Sequence, residues 1–201
     1  YFDGTLEFSS KLNEPMDYVH ESPFENLSVL PSSSNLLTLE HKLESRQKIY
    51  KLRDLLNKLD KEFDEIYIDT APALNFYTRS ALICADNCLI PFDCDAFSRQ
   101  ALYSILDVIY EIREDHNDDL EIGGIVVNQF QPMASLPTRL IAEMKKEKLP
   151  IIPTYLNQSV KMKESHNECV PLIYLAPSHK LTGQYIDLFD HLSRKRRKKK
   201  K

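Results

Sequence analysis

Three short apolar runs, separated by segments with helical periodicity, constrain the fold of this chain more than any other feature of its sequence. The runs are EIYID at residues 65–69, CLIPF at residues 88–92 and IGGIVVN at residues 122–128. A nearly continuous apolar run of this length is typical of a strand that is covered on both faces. Parallel strands need helical crossovers, and no hairpin signal separates these runs. The order therefore predicts an α/β fold with a mostly parallel sheet and helices on both faces.

The rest of the chain follows the same periodic rules. A length of 201 residues with 42% hydrophobic residues is enough for one α/β domain, which we expect over residues 1–193. Two further strands are predicted at Leu27–Leu30 and Ile151–Tyr155. Apolar residues recur at helical spacing in six segments, namely Leu36 to about Leu59, Tyr77–Ala85, Ser98–Arg113, Leu136–Lys146, residues 159–168 and residues 179–192.

The chain ends in a run of basic residues that its overall charge conceals. All eight residues from Arg194 to Lys201 are Lys or Arg, and without them the formal net charge falls from -4 to -12. We call residues 194–201 the basic tail. Such a tail attracts nucleic acid or anionic lipid in a salt-dependent way. A solvated chain end, or a sequence added for expression, explains it equally well.

The cysteine pattern and the hydropathy of the chain bear on its compartment. The four cysteines have neither the paired spacing of a metal site nor the density of a disulfide framework. We expect them to be buried free thiols in a reducing compartment. No apolar run reaches membrane-spanning length. Together these observations favour a cytoplasmic protein.

Polar residues stand at the predicted carboxyl end of the first run, where ligands bind in open α/β sheets. Asp69 ends the run and precedes Thr70 and Pro72, and a carboxylate at this point holds Mg²⁺ through water in nucleotide sites. Capping of the next turn or helix by Asp69 is an equally good interpretation. The matching phosphate loop is not found, because none of the four glycines is followed by Lys and the pattern GxxxxGK[ST] does not occur.

The second and third runs also end in polar residues. Asp93 and Asp95 follow the second run as a candidate metal pair. No third oxygen ligand is suitably spaced, so a loop and capping role before Ser98 is the better interpretation. Asn128 ends the third run, and its amide has the donor and the acceptor needed at a purine edge. Asn is also common in turns, so this residue alone does not identify a base site.

A longer stretch of sequence carries a resemblance to a known family. The run FDEIYIDTAPALNFYTRSALICADNCLIPFDCDAFSRQAL, followed by IGGIVVNQF, resembles the ParA family of partition ATPases, within the ParA/MinD group of deviant P-loop proteins. The resemblance extends from about Asn26 to Leu192. It implies that Asp69 is the acidic residue on the magnesium side of the site, and that Thr70 and Pro72 belong to the second switch.

The same resemblance implies a site for the base. Asn128 matches a position that reads adenine, and Pro153 lies in the loop that closes over the base. Ala71 departs from the family pattern, which usually has two prolines here, but this change leaves Asp69 in place. The family's N-terminal KGGVGKTT block is also absent from the sequence. We therefore expect the chain to be the C-terminal portion of an ATPase, truncated ahead of Tyr1 by on the order of 60 residues that form two strands and a helix.

The resemblance implies a partition or positioning factor that uses ATP and Mg²⁺. Its ATP-bound form would be a sandwich homodimer that binds DNA non-specifically, and a ParB-like adaptor would stimulate hydrolysis and release. Such a protein would be associated with the nucleoid in the cytoplasm. The expected DNA contacts are the basic residues Arg139, Lys145 and Lys146 on one helix, although a solvated helical face explains them as well.

Two alternative functions fit the same sequence. A MinD-like positioning ATPase would bind an anionic membrane through one side of the last helix and the adjacent basic tail. That side is lined by Leu181, Tyr185, Leu188, Phe189 and Leu192. Docking of such a stripe on the protein's own domain is commoner, so we do not expect a membrane partner. The second alternative is a non-catalytic remnant that keeps the partner-binding surfaces of the fold.

Overall fold

The structure, a computed structural model, describes residues 14–199, with side chains through Arg194. These residues fall into two units. The first unit contains the described residues up to Asp86 together with Val108–Leu120, and the second contains Asn87–Asp107 and the described residues from Glu121 onward. The single domain expected over residues 1–193 stays a prediction.

The first unit begins with a 3₁₀ turn at Pro15–Tyr18 and a small antiparallel ladder. Strand β1 (His20–Glu21) pairs with strand β2 (Ser28–Val29). The predicted strand Leu27–Leu30 is therefore present in its two central residues. It is exposed rather than buried, because two paired residues on each strand form too small a sheet to cover a core.

Three helices complete the part of the first unit that precedes residue 87. They are α1 (Leu36–Ser45), α2 (Lys51–Leu59) and α3 (Phe76–Cys84). The single helix predicted from Leu36 to about Leu59 is therefore wrong in its middle. Gln47 adopts a left-handed φ of 52°, and the Lys48 N–H donates to the Leu43 carbonyl at 2.9 Å. Such a left-handed residue with a returning hydrogen bond ends a helix even where the apolar periodicity continues.

Buried apolar residues join α1 to α3. Leu39, Leu43 and Phe76 form a small core cluster, and Tyr77 packs beside it and donates its hydroxyl hydrogen to the Leu36 carbonyl. The N-terminus of α3 is capped by its own preceding residue, because the Asn75 side chain accepts a hydrogen bond from the Thr78 N–H at 3.2 Å.

The strand predicted at Glu65–Asp69 does not form, and this part of the prediction is wrong. Residues 65–70 belong to no ladder and are exposed along their whole length. Ile66 is 40% and Ile68 is 36% exposed. A strand needs a neighbour to pair with its backbone, and the only ladder among the described residues of this unit is the one between β1 and β2.

A parallel ladder organises the second unit. Strand β3 (Asn87–Phe92) pairs with strand β4 (Glu121–Val127), with a register irregularity between Cys88 and Leu89. Residues 123–127 of β4 are all buried, as expected for a strand covered on both faces. Both strands were predicted to within one residue, and their parallel pairing is the one that the α/β order predicted.

A third segment, residues 150–157, runs beside β4 without forming a regular strand. The Ile125 N–H donates to the Pro150 carbonyl, and the Ile152 N–H donates to the Ile125 carbonyl, each at 2.9 Å. The predicted strand Ile151–Tyr155 is reduced to one parallel bridge between Ile125 and Ile151. The ladder stops there because Pro153 follows two residues later and has no N–H to donate.

Five helices complete the described chain. They are α4 (Ala96–Asp115), α5 (Ser135–Lys146), α6 (Val160–Glu168), α7 (Leu172–Leu175) and α8 (Lys180–Lys199). Helix α4 begins in the second unit and ends in the first. In the second unit α7 and α8 pack on β4 and the segment beside it, through a core cluster of Val126, Ile152, Leu156, Leu172, Leu181 and Leu188.

The apolar stripe predicted on the last helix divides into a docked and an exposed part. Leu181 and Leu188 are buried in the core of the second unit, as the docking interpretation expected, whereas Tyr185 and Phe189 are 40% and 53% exposed. Of the basic tail, only the Arg194 side chain is among those described. Between residues 14 and 199, none of the helices combines the length and the apolar character that crossing a bilayer requires.

The start of α4 is fixed by a side-chain cap. The Asp95 carboxylate accepts hydrogen bonds from the Ser98 N–H at 2.7 Å and from the Ser98 hydroxyl at 2.9 Å. These hydrogen bonds favour the charged form and lower the pKa of Asp95 below its ordinary value. The capping role predicted for the loop before Ser98 is thus confirmed for Asp95.

We expect Gly124→Ala to destabilise the protein. Gly124 has a φ of 155°, and an added Cβ would lie 2.5 Å from Ile152 Cγ1. Ile152 is only 2% exposed and belongs to the buried core cluster of the second unit. The overlap and the strained backbone should lower the free energy of unfolding by about 2 kcal/mol, measured by urea denaturation.

Gly183→Ala is the matched control. No heavy atom lies within 4 Å of a Cβ added at Gly183, which stands in α8. Since Ala is the better helix former, this change should raise the free energy of unfolding by about 0.5 to 1 kcal/mol. Similar losses of stability in the two variants would contradict the steric explanation.

We also expect the contribution of Asp95 to stability to depend on pH. The pKa of Asp95 is lower in the folded protein than the unfolded value of about 3.9, so its contribution is complete above the unfolded value and is lost as the pH falls through the folded one. Asp95→Ala should lower the free energy of unfolding by about 1 kcal/mol at pH 7, and by less at pH 3.

Asp107→Ala serves as the control for this pH experiment. It removes an exposed carboxylate from the middle of the same helix, and the Asp107 carboxylate makes no hydrogen bond to any residue between 14 and 194. Its effect at pH 7 should stay within about 0.5 kcal/mol. A loss at Asp95 that is equally large at both pH values would argue against the carboxylate cap.

Candidate functional site

The carboxyl ends of β3 and β4 bring two of the predicted polar residues together. Phe92 and Val127 are the last register partners of the parallel ladder, so Asp93 and Asn128 leave it side by side. The Asn128 N–H donates to the Phe92 carbonyl at 2.9 Å and continues the ladder by one hydrogen bond. The edge at which open α/β sheets bind ligands is therefore occupied by a carboxylate and a side-chain amide.

Asp93 holds two amide side chains. The Asn128 Nδ2 donates to Asp93 Oδ1 at 2.9 Å, and the Gln129 Nε2 donates to Asp93 Oδ2 at 3.0 Å. The sequence indicates Asp93 and Asn128 as separate candidates, and no pattern in it marks Gln129. The signal that would have joined them is the parallel alignment of the second and third runs, which places the residues after each run next to each other.

Two residues at this edge have a left-handed backbone. Cys94 has a φ of 54° and Gln129 a φ of 48°, and each directly follows a member of the Asp93–Asn128 pair. This conformation costs a residue other than glycine about 1 to 2 kcal/mol and is found mainly where the surrounding structure enforces it. The backbone is therefore conformationally constrained at the start of the loops that follow β3 and β4.

The candidate metal pair Asp93 and Asp95 does not converge on a common point for an ion. Asp95 is engaged by Ser98, and both oxygens of Asp93 accept hydrogen bonds from amides. Burial, together with the negative charges of Asp93 and Asp95, raises the pKa of Cys94 to about 11 and keeps the thiol protonated. Within residues 14–194, no three His, Cys, Asp or Glu side chains are grouped as a metal cage.

The predicted base loop belongs to the same unit. Pro153 is exposed and lies between Ile152, which bonds to β4, and Leu156, whose N–H donates to the Val127 carbonyl at 2.9 Å. The loop that contains Pro153 therefore returns to the backbone directly before Asn128. The Tyr155 ring packs edge-on against Phe130 at a centroid distance of 5.0 Å, which fixes the far side of the loop.

Asp69, Thr70 and Pro72 all lie in the first unit, in the exposed irregular segment before α3. Pro72 occupies a tight turn, because the Ala73 N–H donates to the Ala71 carbonyl at 2.7 Å. Asp69 does not cap α3, since Asn75 does so. The Asp69 carboxylate is exposed and makes no hydrogen bond to the described side chains, so its oxygens can act as metal ligands.

The chemistry of Asp69 suits Mg²⁺. This ion binds through one or two carboxylates and keeps several waters while it bridges nucleotide phosphates, so it does not need a cage of protein ligands. The amide of Asn128 likewise suits a purine base. The GxxxxGK[ST] pattern that cradles phosphates does not occur in the 201 residues.

The predicted DNA contacts lie on α5 in the second unit. The side chain of Arg139 is 69% exposed, and Lys145 and Lys146 are exposed in the last turn of the helix. Arg99 on α4 compensates the negative charges of Glu143 and Glu147. Its Nη1 donates to Glu143 Oε2 and its Nη2 to Glu147 Oε1, each at 2.6 Å. Glu143 and Glu147 are therefore paired with Arg99 and not with the two lysines, and the Lys145 ammonium lies 5.6 Å from the centroid of the Tyr155 ring. No pattern in the sequence marks Arg99, because its partners lie on or next to another helix.

Comparison with known proteins assigns the chain to a family. A family model described as an AAA domain matches residues 7–122, which is more than half of the chain. The sporulation initiation inhibitor protein Soj of Bacillus subtilis is 26% identical over 175 residues, covering 86% of this chain and 69% of that protein. The chromosome partitioning protein ParA of Myxococcus xanthus is 26% identical over 189 residues, covering 92% of this chain and 66% of that protein.

Solved structures confirm the fold. An ATP complex of McdA from Cyanothece has a TM-score of 0.79 at 23% identity, covering 90% of this chain and 72% of that chain. A cobyrinic acid a,c-diamide synthase from Mycobacterium smegmatis, with bound ADP and magnesium, has a TM-score of 0.68 at 23% identity and covers 73% of this chain and 60% of that chain. Both likenesses support the predicted P-loop NTPase-like α/β fold, and their ligands are those expected from the sequence.

The chain spans about two thirds of the length of the relatives that it matches. The match nevertheless includes most of this chain, and it extends through both units. The family model covers more than half of the chain, and the proteins similar to the chain include ParA and Soj. The chain therefore belongs to the ParA family of AAA-domain partition ATPases.

Proposed function

We propose that the protein is a Mg²⁺-dependent ATPase of the ParA type, which partitions DNA or positions another intracellular cargo. The observation that carries this proposal is the similarity to ParA and Soj over 86–92% of the chain. ATP, when bound with Mg²⁺, supplies a phosphoanhydride bond whose hydrolysis gives ADP and phosphate. The residues of this chain would bind the base, help to hold the metal ion and contact the cargo.

The base would bind at the carboxyl ends of β3 and β4. Asn128 would contact the adenine edge with its amide, and the loop with Pro153 would cover the ring. Two hydrogen bonds support this assignment, since the loop returns to Val127 through Leu156, and Asn128 is held by Asp93. This edge is also where open α/β sheets bind their ligands.

The segment of residues 69–72 would bind the metal ion and act as a switch that responds to the nucleotide. Asp69 would hold Mg²⁺ through water, and Thr70 and Pro72 would change conformation with the state of the nucleotide. The exposure of this segment supports the switch role, because an exposed segment that ends in a tight turn at Pro72 can rearrange without disrupting a buried core.

DNA would be the macromolecular partner of α5. Arg139, Lys145 and Lys146 would contact phosphates, which gives affinity without sequence preference. In this proposal the ATP state is a homodimer, a ParB-like adaptor stimulates hydrolysis, and the protein associates with the nucleoid. Compensation of Glu143 and Glu147 by Arg99 supports the DNA contacts, because it lowers repulsion between α5 and a polyanion.

We expect Asp69→Asn to reduce ATP hydrolysis by the full-length protein on the order of a hundredfold, because a neutral amide is a poor partner for hydrated Mg²⁺. Steady-state phosphate release, measured with Mg²⁺ and DNA present, tests this. Asp64→Asn is the control, since it makes the same charge change at another exposed position shortly before the segment. Wild-type protein that does not hydrolyse ATP under any condition would favour the non-catalytic alternative.

We expect Lys146→Ala to weaken DNA binding for all sequences alike. The slope of log Kd against log salt concentration should fall by about one, since one phosphate contact is lost. Lys163→Ala on α6 removes the same charge from another exposed helix of this unit and should leave the slope unchanged. Equal changes in the two variants would mean that α5 makes no particular contact with DNA.

A further inference from the structure

We propose that Gln184 on α8 is a positioning residue for the nucleotide site, which holds the loop at residues 153–157 in place before a nucleotide binds. We call residues 153–157 the base loop. This inference rests on the proposed nucleotide-binding function, in which the base loop covers the base. It adds a residue from a distant part of the chain, and it specifies which part of the nucleotide loses affinity when that residue is changed.

Gln184 contacts Asn157, the last residue of the base loop, through both ends of its carboxamide. The Asn157 N–H donates to Gln184 Oε1 at 3.0 Å, and Gln184 Nε2 donates to Asn157 Oδ1 at 2.9 Å. A side-chain amide carries an acceptor and a donor group on the same carbon, so one Gln satisfies both groups of Asn157 at once. Two hydrogen bonds therefore fix the end of the base loop to α8.

Gln184 is itself held on the docked face of α8. Leu181 and Leu188 stand three residues before it and four residues after it, and both are buried in the core cluster of the second unit. Residues at this spacing share one face of a helix. The first turn of α8 is also fixed, because the Thr182 hydroxyl donates to the Ala176 carbonyl at 2.7 Å. Gln184 therefore connects the base loop to a helix that is anchored in the core.

The direction of the Asn157 N–H explains why a side chain from α8 is needed. The N–H groups of its two neighbours, Leu156 and Gln158, donate to carbonyls at the end of β4 and shortly after it. Alternate residues of an extended segment bond to the same neighbour, so the Asn157 N–H points to the opposite side. Among the described residues, no strand lies on that side, and Gln184 takes the place of one. Without it, a half-buried N–H would lose its partner, which is unfavourable.

The base loop has little other support between its ends. Ile152, directly before it, bonds to β4, and residues 153–155 belong to no ladder. Pro153 has no N–H to donate. If the Gln184 contact were lost, only the bonds to β4 and the segment after it would hold the loop, and residues 153–155 would be less well ordered. A loop that is ordered in advance loses less conformational entropy on binding, so Gln184 should strengthen the contact with the base.

The expected effect is confined to one part of the ligand. The base loop would cover the base and not the phosphates, so Gln184 should influence the affinity for ATP and not the affinity for tripolyphosphate, which has no base. General destabilisation of the protein would weaken the binding of both ligands. The ratio of the two Kd values therefore separates a positioning role from a purely structural one.

The test measures the binding of a non-hydrolysable ATP analogue and of tripolyphosphate to the full-length protein by calorimetry, with Mg²⁺ present. We expect the wild type to bind the ATP analogue more tightly than tripolyphosphate. Gln184→Met keeps the length of the side chain and removes both hydrogen bonds. It should reduce this preference about tenfold and leave the Kd of tripolyphosphate unchanged.

Two further variants serve as controls. Gln184→Glu keeps an acceptor for the Asn157 N–H, and the Asn157 amide can turn to donate to the carboxylate, so it should recover most of the preference. Gln131→Met makes the same change as Gln184→Met at an exposed position of the same unit, where Gln131 donates to Gln158 at 2.6 Å. It should keep the wild-type ratio, because it does not contact the base loop.

Hydrogen exchange reports on the contact without nucleotide. The Asn157 amide should exchange about tenfold faster in Gln184→Met than in the wild type, while the Ile125 amide on β4 should keep its rate, because the opening is local. An unchanged ratio of the two Kd values in a folded Gln184→Met variant, or equal losses of both ligands, would overturn the inference and leave the proposed function standing. Wild-type protein that binds neither ligand would overturn the proposed function, and this inference with it.

Discussion

The parallel pairing of β3 with β4 is the constraint on which the second unit depends. It brings Asp93 and Asn128 out of the sheet as neighbours, and it gives the segment at residues 150–157 a backbone to follow. It also buries β4 along most of its length, so that α7 and α8 can pack on that side of the core. A shift of one residue in this register would separate the carboxylate from the amide and turn the apolar side chains to the opposite face.

Sequence patterns predicted those elements that have a partner in the described structure. The runs at residues 88–92 and 122–128 became the paired strands, and the helices that follow them, α4 and α5, were placed to within two residues. The run at residues 65–69 also has an apolar centre, residues 66–68, yet it forms no strand, because apolar character gives a segment a reason to be buried but cannot supply a neighbour. Gln47 ended a helix whose periodicity continued, since the left-handed turn left no clear mark in the pattern.

The candidate site was predictable residue by residue but not as an arrangement. Asn128 and Asp69 were found because each stands next to an apolar run. The role of Asp93 escaped notice because its partners lie in a different part of the sequence, and a pattern within one loop carries no information about contacts between loops. The same is true of Arg99, whose contacts with Glu143 and Glu147 join residues far apart in the chain.

Arg99 has a consequence for the surface of α5. It faces two carboxylates one helical turn apart, so the electrostatic potential around Lys145 and Lys146 depends on a guanidinium that belongs to another helix. A neutral residue at position 99 would leave both carboxylates uncompensated and lower that potential, although every lysine stayed where it is. The attraction of α5 for a polyanion is thus a shared property of two helices, and it can be tuned from α4 without any change on α5 itself.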